Sequence, residues 1–337
     1  MYKPTMSSLI IINEDVCEIA FGKDYVYYPE GYIIWAKVIG TELNSGRNVI
    51  NATDDLLKKG FRFIRNADVV KYVTFEDISK DMITSMKGLF MGCMNLVTVD
   101  FNGLDSSKVT EMSNLFNGCH SIKDIDLKCL DTSLVMSMNG MFMECYALTN
   151  LDMKGCETHR VETSDYMFDN CISLQTVEMQ TLDFSNVKSA VRMFSGCEKI
   201  EHLDLSNCYF EYIEDASGMF EDCHGLKSIN LNNFGHNGLR FIGSMFFRCK
   251  SLKEIDLSGI CTVYVTEMNH LFYGCSNLEH VNLSGWIVNE ETDTKMMFYG
   301  CDSLKCIKLY GCDDYTIYRI KDELWNADIQ ESVYIEI

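Results

Sequence analysis

The chain has 337 residues, 47% hydrophobic and 23% charged, a composition that builds a packed core and excludes a disordered chain. With 49 Asp/Glu against 29 Lys/Arg the formal net charge is −20, the wrong sign for gripping a phosphate backbone, so no direct nucleic-acid binding is expected. The longest early apolar run, residues 9–12, is too short for a membrane span and for the h-region of a signal peptide.

In chain order, residues 1–60 read as an N-terminal capping segment or small β-rich domain. Strands are expected at 9–12, 16–21, 25–28 and 33–39, and a short helix near 52–59. An eroded repeat begins near Phe61, with Ile64 and Ala67 in columns that later hold phenylalanine and cysteine. From there the spacing becomes strict. Nine cysteines, from Cys93 to Cys301, recur every 26 residues without insertion or deletion. Three residues before each stands a phenylalanine (Phe90 to Phe298), and three after each a Leu or Ile (Leu96 to Leu304). Three columns in register over nine copies specify a solenoid of stacked coils.

Within one coil, Val109, Met112, Leu115, Phe116, Cys119 and Ile122 recur at spacings of three to four. That spacing predicts a short helical or 3₁₀ segment with one buried face. Ile125, Asp126 and Leu127 then alternate in, out, in, as a short strand does. Asp131, Thr132 and Ser133 make the turn into the next coil. Only two prolines, Pro4 and Pro29, occur, which suits strands that donate ladder hydrogen bonds on both sides. At the end of the chain Leu324, Ala327, Val333 and Ile335 continue the register as a last half coil. The fold expected for residues 61–337 is therefore an α/β solenoid of about ten and a half coils. A parallel sheet forms one face and short helical segments the other.

Residues 141–153, MFMECYALTNLDM, have the form M-F-x-x-C-x-x-L-x-x-L-D-[LM], with Asp131, Thr132 and Ser133 upstream. This repeat resembles that of the BspA-like leucine-rich-repeat proteins, and the resemblance covers residues 61–337. It implies a leucine-rich-repeat solenoid. Members of that family are mostly bacterial or protist surface proteins associated with adhesion to host or matrix proteins, which implies an adhesive role at the cell surface. No signal peptide, lipobox or wall-sorting tail is read in the sequence, which points instead to the cytoplasm.

The sixteen cysteines are expected to be reduced. Equivalent side chains on stacked coils point in parallel, whereas a disulfide needs opposed Cβ vectors, and no C-x-x-C pair marks a zinc site. Small buried hydrophobes are the expected role, in keeping with a reducing compartment. Many of the twenty methionines, among them Met112, Met138, Met141, Met167, Met193, Met219, Met245 and Met297, fall in columns ahead of the phenylalanine and read as core. No nucleophile elbow, phosphate loop, dinucleotide fingerprint or H-E-x-x-H motif is present, so neither enzyme activity nor a cofactor or metal is expected.

The informative columns point outward from the strands. The central one reads Asp100, Asp126, Asp152, Glu178, Asp204, Asn230, Asp256, Asn282 and Lys308, and a flanking one carries His202 and His280, three coils apart. Stacked carboxylates repel. Either neighbouring Ser, Thr or backbone groups satisfy them, or they form an acidic stripe that binds a partner. The expected function is a non-enzymatic protein-binding module that uses the concave sheet face, its partner a protein with a basic surface. The candidate contacts are Asp100, Asp126, Asp152, Glu178, Asp204, Asp256, His202 and His280. The alternative is an intracellular acidic inhibitor that mimics nucleic acid and occupies another protein's basic channel.

Overall fold

The computed structural model of the chain describes residues 11–13, 16–21, 24–28, 37–38, 49–52, 72–75, 83–102 and 104–337. Strands β1 (Ile11–Asn13), β2 (Val16–Phe21) and β3 (Asp24–Tyr28) form an antiparallel sheet. Strand β4 (Lys37–Val38) pairs antiparallel with β5 (Val49–Ala52). The first four strands fall on the four stretches expected from sequence. Beyond Ala52 the expected helix lies outside the described residues, as do Ile64 and Ala67. Strand β5 pairs parallel with β6 (Tyr72–Phe75), and β6 with β7 (Thr98–Asp100). Tyr72 lies opposite Thr98, so the 26-residue spacing already holds at β6.

From β7 onward the coils stack behind three walls. The first is the sheet face: β8 (Asn150–Asp152), β9 (Thr176–Glu178), β10 (His202–Asp204), β11 (Ser228–Asn230), β12 (Glu254–Asp256), β13 (His280–Asn282) and β14 (Cys306–Lys308). Each is three residues long. The pairs β8–β9, β10–β11, β12–β13 and β13–β14 are parallel and in register, Leu151 opposite Val177 and Val281 opposite Ile307. The central residue turns inward and its neighbours outward because strand side chains alternate. The second wall is a row of single parallel bridges running from Ser85 through Glu111, Ser137 and Thr163 to Asp293.

The third wall carries the apolar spacing of three to four, yet it is not a helix. In every coil two residues four apart take a left-handed backbone, as at Asn114 and Gly118 (φ 58° and 75°) or Tyr166 and Asn170 (57° and 59°). A left-handed residue ends α-helical propagation. The backbone N–H groups then alternate in direction. Those of Leu115, Asn117 and Cys119 bond to carbonyls three residues back, while those of Met112, Asn114, Phe116 and Gly118 donate to the carbonyls of Ser137, Asn139, Met141 and Met143 on the next coil. A helix would keep all these bonds to itself; this turn wall spends half of them on its neighbour. Glycine at position 118 takes its φ of 75° without strain, and a Cβ there would only touch the Cα of Gly92 in the coil before, at 3.4 Å.

The core lies between the walls. Phe90 to Phe298 stack ring on ring with centroids 5.1–5.9 Å apart. Beside them, each cysteine thiol from Cys119 to Cys301 donates to the carbonyl of the phenylalanine one coil back, at 3.0–3.3 Å. The methionine columns are buried among them, as the spacing predicts.

The last coil departs from the pattern. Helix α1 (Asp314–Asn326) starts at Asp313, whose carboxylate accepts from the Thr316 N–H, and it buries Ile320, Glu323 and Leu324. Leu324, 26 residues after Phe298, is buried as the register predicts, but from a helix. Strand β15 (Tyr334–Glu336) then pairs with β14, Tyr334 opposite Cys306, a step of 28 residues instead of 26. Ile335, and not Val333, therefore takes the inward place beside Ile307.

Candidate binding surface

The sheet face collects all eight expected contact residues. Asp100, Asp152, Glu178, Asp204 and Asp256 end β7, β8, β9, β10 and β12; His202 and His280 begin β10 and β13; Asp126 holds the same column in the coil between β7 and β8. All are exposed or half-exposed.

Their local chemistry explains the column. The Oδ1 of Asp100, Asp126, Asp152, Asp204 and Asp256 accepts from the backbone N–H two residues on, at 2.9–3.0 Å, closing an Asx turn where the strand ends. Asn230 and Asn282 make the same bond through their own Oδ1, at 3.1 Å. An Asp or Asn oxygen thus closes the turn in seven of the nine coils, with or without a charge, while Glu178 and Lys308 hold the place in the other two. Asn102 and Ser258 also donate their side chains to the acid of their turn.

Lysines partly neutralise the stripe. Lys128 Nζ lies 3.5 Å from Asp152, and Lys154 Nζ 3.4 Å from Glu178, each reaching one coil forward. The Lys154 backbone N–H, then Lys128, holds the Asp152 carboxyl below the usual carboxylate range. Asp126 and Asp204 have no salt bridge among the described residues, so their charges are not directly paired. His202 Nδ1 shares a hydrogen bond with Ser228 Oγ at 2.8 Å. Along one margin Lys227 pairs with Glu201 and Lys305 with Glu279. At the far end Tyr334 is 68% exposed, and the Tyr310 hydroxyl donates to Glu336. The two tyrosines were not singled out from sequence, although Tyr310 stands in a column otherwise held by Asn, Lys, Gln and Ser.

Other polar groups lie away from this face. On the turn wall Arg192 bridges Glu221, at 2.7 Å, and the nearly buried Asp169, at 3.5 Å, beside a shallow cleft lined by Ser217, Gly218, Ser244 and Asn269. Burial outweighs these partners and lifts the Asp169 carboxyl. No helix among the described residues is long and apolar enough to cross a membrane.

Residues 190–326 match the BspA type leucine rich repeat region, in 6 copies. These are BspA-type leucine-rich repeats. Residues 84–208 match a second family, described as a Mycoplasma protein of unknown function, DUF285. No curated protein matches the chain. Among solved structures, a leucine rich cell surface protein from Faecalibacterium prausnitzii A2-165 is similar at 16% identity and a TM-score of 0.33, covering 97% of this chain and 99% of that one. A leucine-rich repeat protein from Bacteroides ovatus ATCC 8483 gives 16%, 0.30, 97% and 99%. A leucine-rich repeat protein from Leptospira interrogans gives 12%, 0.28, 88% and 97%. The architecture of the solenoid rests on its ladders and not on these superpositions.

Proposed function

We propose that this solenoid is a non-catalytic binding module that holds a protein with a basic surface against its sheet face. The observation that carries the reading is a spare carboxylate oxygen. The turns at Asp126 and Asp204 use Oδ1 alone, so the second oxygen of each faces solvent with no partner among the described residues. Solenoids generally recognise partners along such continuous faces, and a negative field there favours association with cationic groups. The same acidity supports the cytoplasmic mimic of nucleic acid less directly, because the stripe is interrupted by Lys128 and Lys154.

The test uses the substitution the protein itself makes in two coils. Asp126→Asn, Asp152→Asn and Asp204→Asn together preserve the turn acceptor and remove three charges. After affinity capture of a partner from the native cell, the triple variant should melt like the wild type and bind that partner at least about tenfold more weakly, the remaining affinity falling less steeply with salt. Unchanged affinity in a folded triple variant overturns the proposal.

A further inference from the structure

We propose that Asn237 is a site of spontaneous deamidation, a covalent modification by water that loosens the coil carrying it. The described residues hold three complete Asn-Gly pairs, at 117–118, 139–140 and 237–238. In such a pair the glycine nitrogen can reach the asparagine side-chain carbonyl, because no Cβ stands in the way. The fold treats the three pairs differently. Two are locked into the turn wall. The Gly118 N–H donates to the Met143 carbonyl at 2.8 Å and the Gly140 N–H to the Asp165 carbonyl at 2.7 Å, and both glycines are buried. Their asparagine side chains are tied as well: Asn117 Nδ2 donates to Asn114 Oδ1 at 2.8 Å, and Asn139 Oδ1 accepts from the Asp165 N–H at 2.9 Å. A nitrogen bonded to the next coil cannot turn back on its own neighbour until the coils part.

The third pair lies on the lateral edge of the solenoid, and there the backbone is loose. Asn237 is exposed, and the Gly238 N–H has no acceptor among the described residues. In five other coils Val109, Val135, Val161, Val187 and Val265 close this edge with an N–H bond to the carbonyl three residues back, as Val161 does to Thr158 at 2.9 Å. Leu239 stands in the same column, and its N–H makes no such bond. Asn237 is held through Glu211 of the coil before, its N–H to the carbonyl and its Nδ2 to Oε1, both at 3.1 Å. Such bonds at an exposed edge open far more readily than those of the buried turn wall.

The reaction needs only water. The Gly238 nitrogen, having given its proton to solvent base, attacks Asn237 Cγ. The Cγ–Nδ2 bond breaks, Nδ2 takes up a proton and leaves as ammonia, and a five-membered succinimide remains. Water then adds to one of the two ring carbonyls and opens the ring, giving aspartate or, when the original peptide bond is the one cleaved, isoaspartate. One water is consumed and one ammonia released, with no change of oxidation state. Either product puts a carboxylate where an amide donated to Glu211, so a hydrogen bond becomes a repulsion between two acids. The isoaspartyl product also adds a methylene to the main chain between two pinned points, the Asn237 N–H on Glu211 and the Arg240 N–H on Glu214.

The full chain would be stored in mildly alkaline buffer, folded and in denaturant, and followed over weeks by peptide mass mapping. In denaturant the three pairs should react at similar rates. In the folded chain Asn237 should react at least about tenfold faster than Asn117 and Asn139, which wait for their coils to open. Hydrogen exchange should find the Gly238 amide unprotected and those of Gly118 and Gly140 protected. The stored wild type should melt below the fresh one, whereas Asn237→Gln, stored alongside, should hold its melting temperature. Three results overturn the proposal: Asn237 reacting no faster than the two wall sites in the folded chain, a Gly238 amide as protected as that of Gly118, or a wild type that loses no more stability on storage than Asn237→Gln.

Discussion

A single atom decides why the repeat keeps cysteine where alanine or valine would also pack. Each phenylalanine carbonyl already accepts one bond within its turn, from Cys93 N–H to Phe90 for example, and the thiol of the next coil supplies a second. Trp286 makes the corresponding reach with its indole N–H, to the Leu257 carbonyl at 2.9 Å, in a column where Cys208 and Cys312 do the same with sulfur. The column is thus apolar in volume and polar in one direction. Burial lifts these thiols, Cys93 to about 12, which keeps the nucleophilic thiolate unpopulated at neutral pH. Cys171→Ala should cost about 1–2 kcal/mol in denaturant unfolding, the loss of the sulfur's volume plus one weak bond. In the folded chain a thiol reagent should modify exposed Cys129 readily and the column from Cys93 to Cys301 only after denaturation. At this scale the sequence was most legible, because Phe, Cys and Leu recur without a slip. The thiol bond was hidden because its acceptor is a backbone atom 29 residues away. The Asx turns left a trace, the interchange of Asp with Asn at positions 230 and 282, two side chains that share the Oδ1 acceptor and differ in charge.

Among the elements, the turn wall and α1 are where sequence reasoning fell short. Spacing of three to four is shared by a helix and by any ribbon that buries one residue per tight turn. The left-handed positions that separate the two are held by Tyr166, Arg192, His270 and Met296 as well as by glycines, so the glycine signal is broken along the column and was passed over. Helix α1 did leave signals, an Asp313 cap and inward Ile320 and Leu324, but the 26-residue register overrode them in the reading. The helix docks through a polar contact. Thr294 Oγ donates to Glu323 Oε1 at 2.8 Å, and Arg319 reaches the same hydroxyl. Burial outweighs Thr294, the Met297 N–H and Arg319, and raises the Glu323 carboxyl. A carboxyl raised on folding contributes stability fully below its unfolded value and loses that contribution as pH climbs through the folded one. Glu323→Gln should therefore melt above the wild type near about pH 8, and the difference should shrink as the pH falls to about 4. Differential scanning calorimetry across that range measures it.

For the whole molecule, stability is close to a sum over neighbouring coils, because each coil bonds mainly to the ones before and after it. Truncation at Asp313 removes α1 and β15, uncovering Phe298, Leu304 and Ile307 and the outer edge of β14. The shortened chain should aggregate at concentrations where the full chain is monomeric, a contrast that light scattering reads directly. An equally stable, monomeric fragment would deny α1 its covering role.

The turn wall also constrains how such a gene can change length. Half of its N–H groups find their acceptors only on the following coil, and the sheet pairs at the same interval, so an insertion of one or two codons within a coil strands donors on one wall and misaligns strands on the other. Recombination that adds or deletes one complete repeat leaves every bond matched. Descendants of this chain should therefore differ in length by whole coils, with fractional changes confined to places such as the last coil, where a helix has replaced the turns and two extra residues are absorbed.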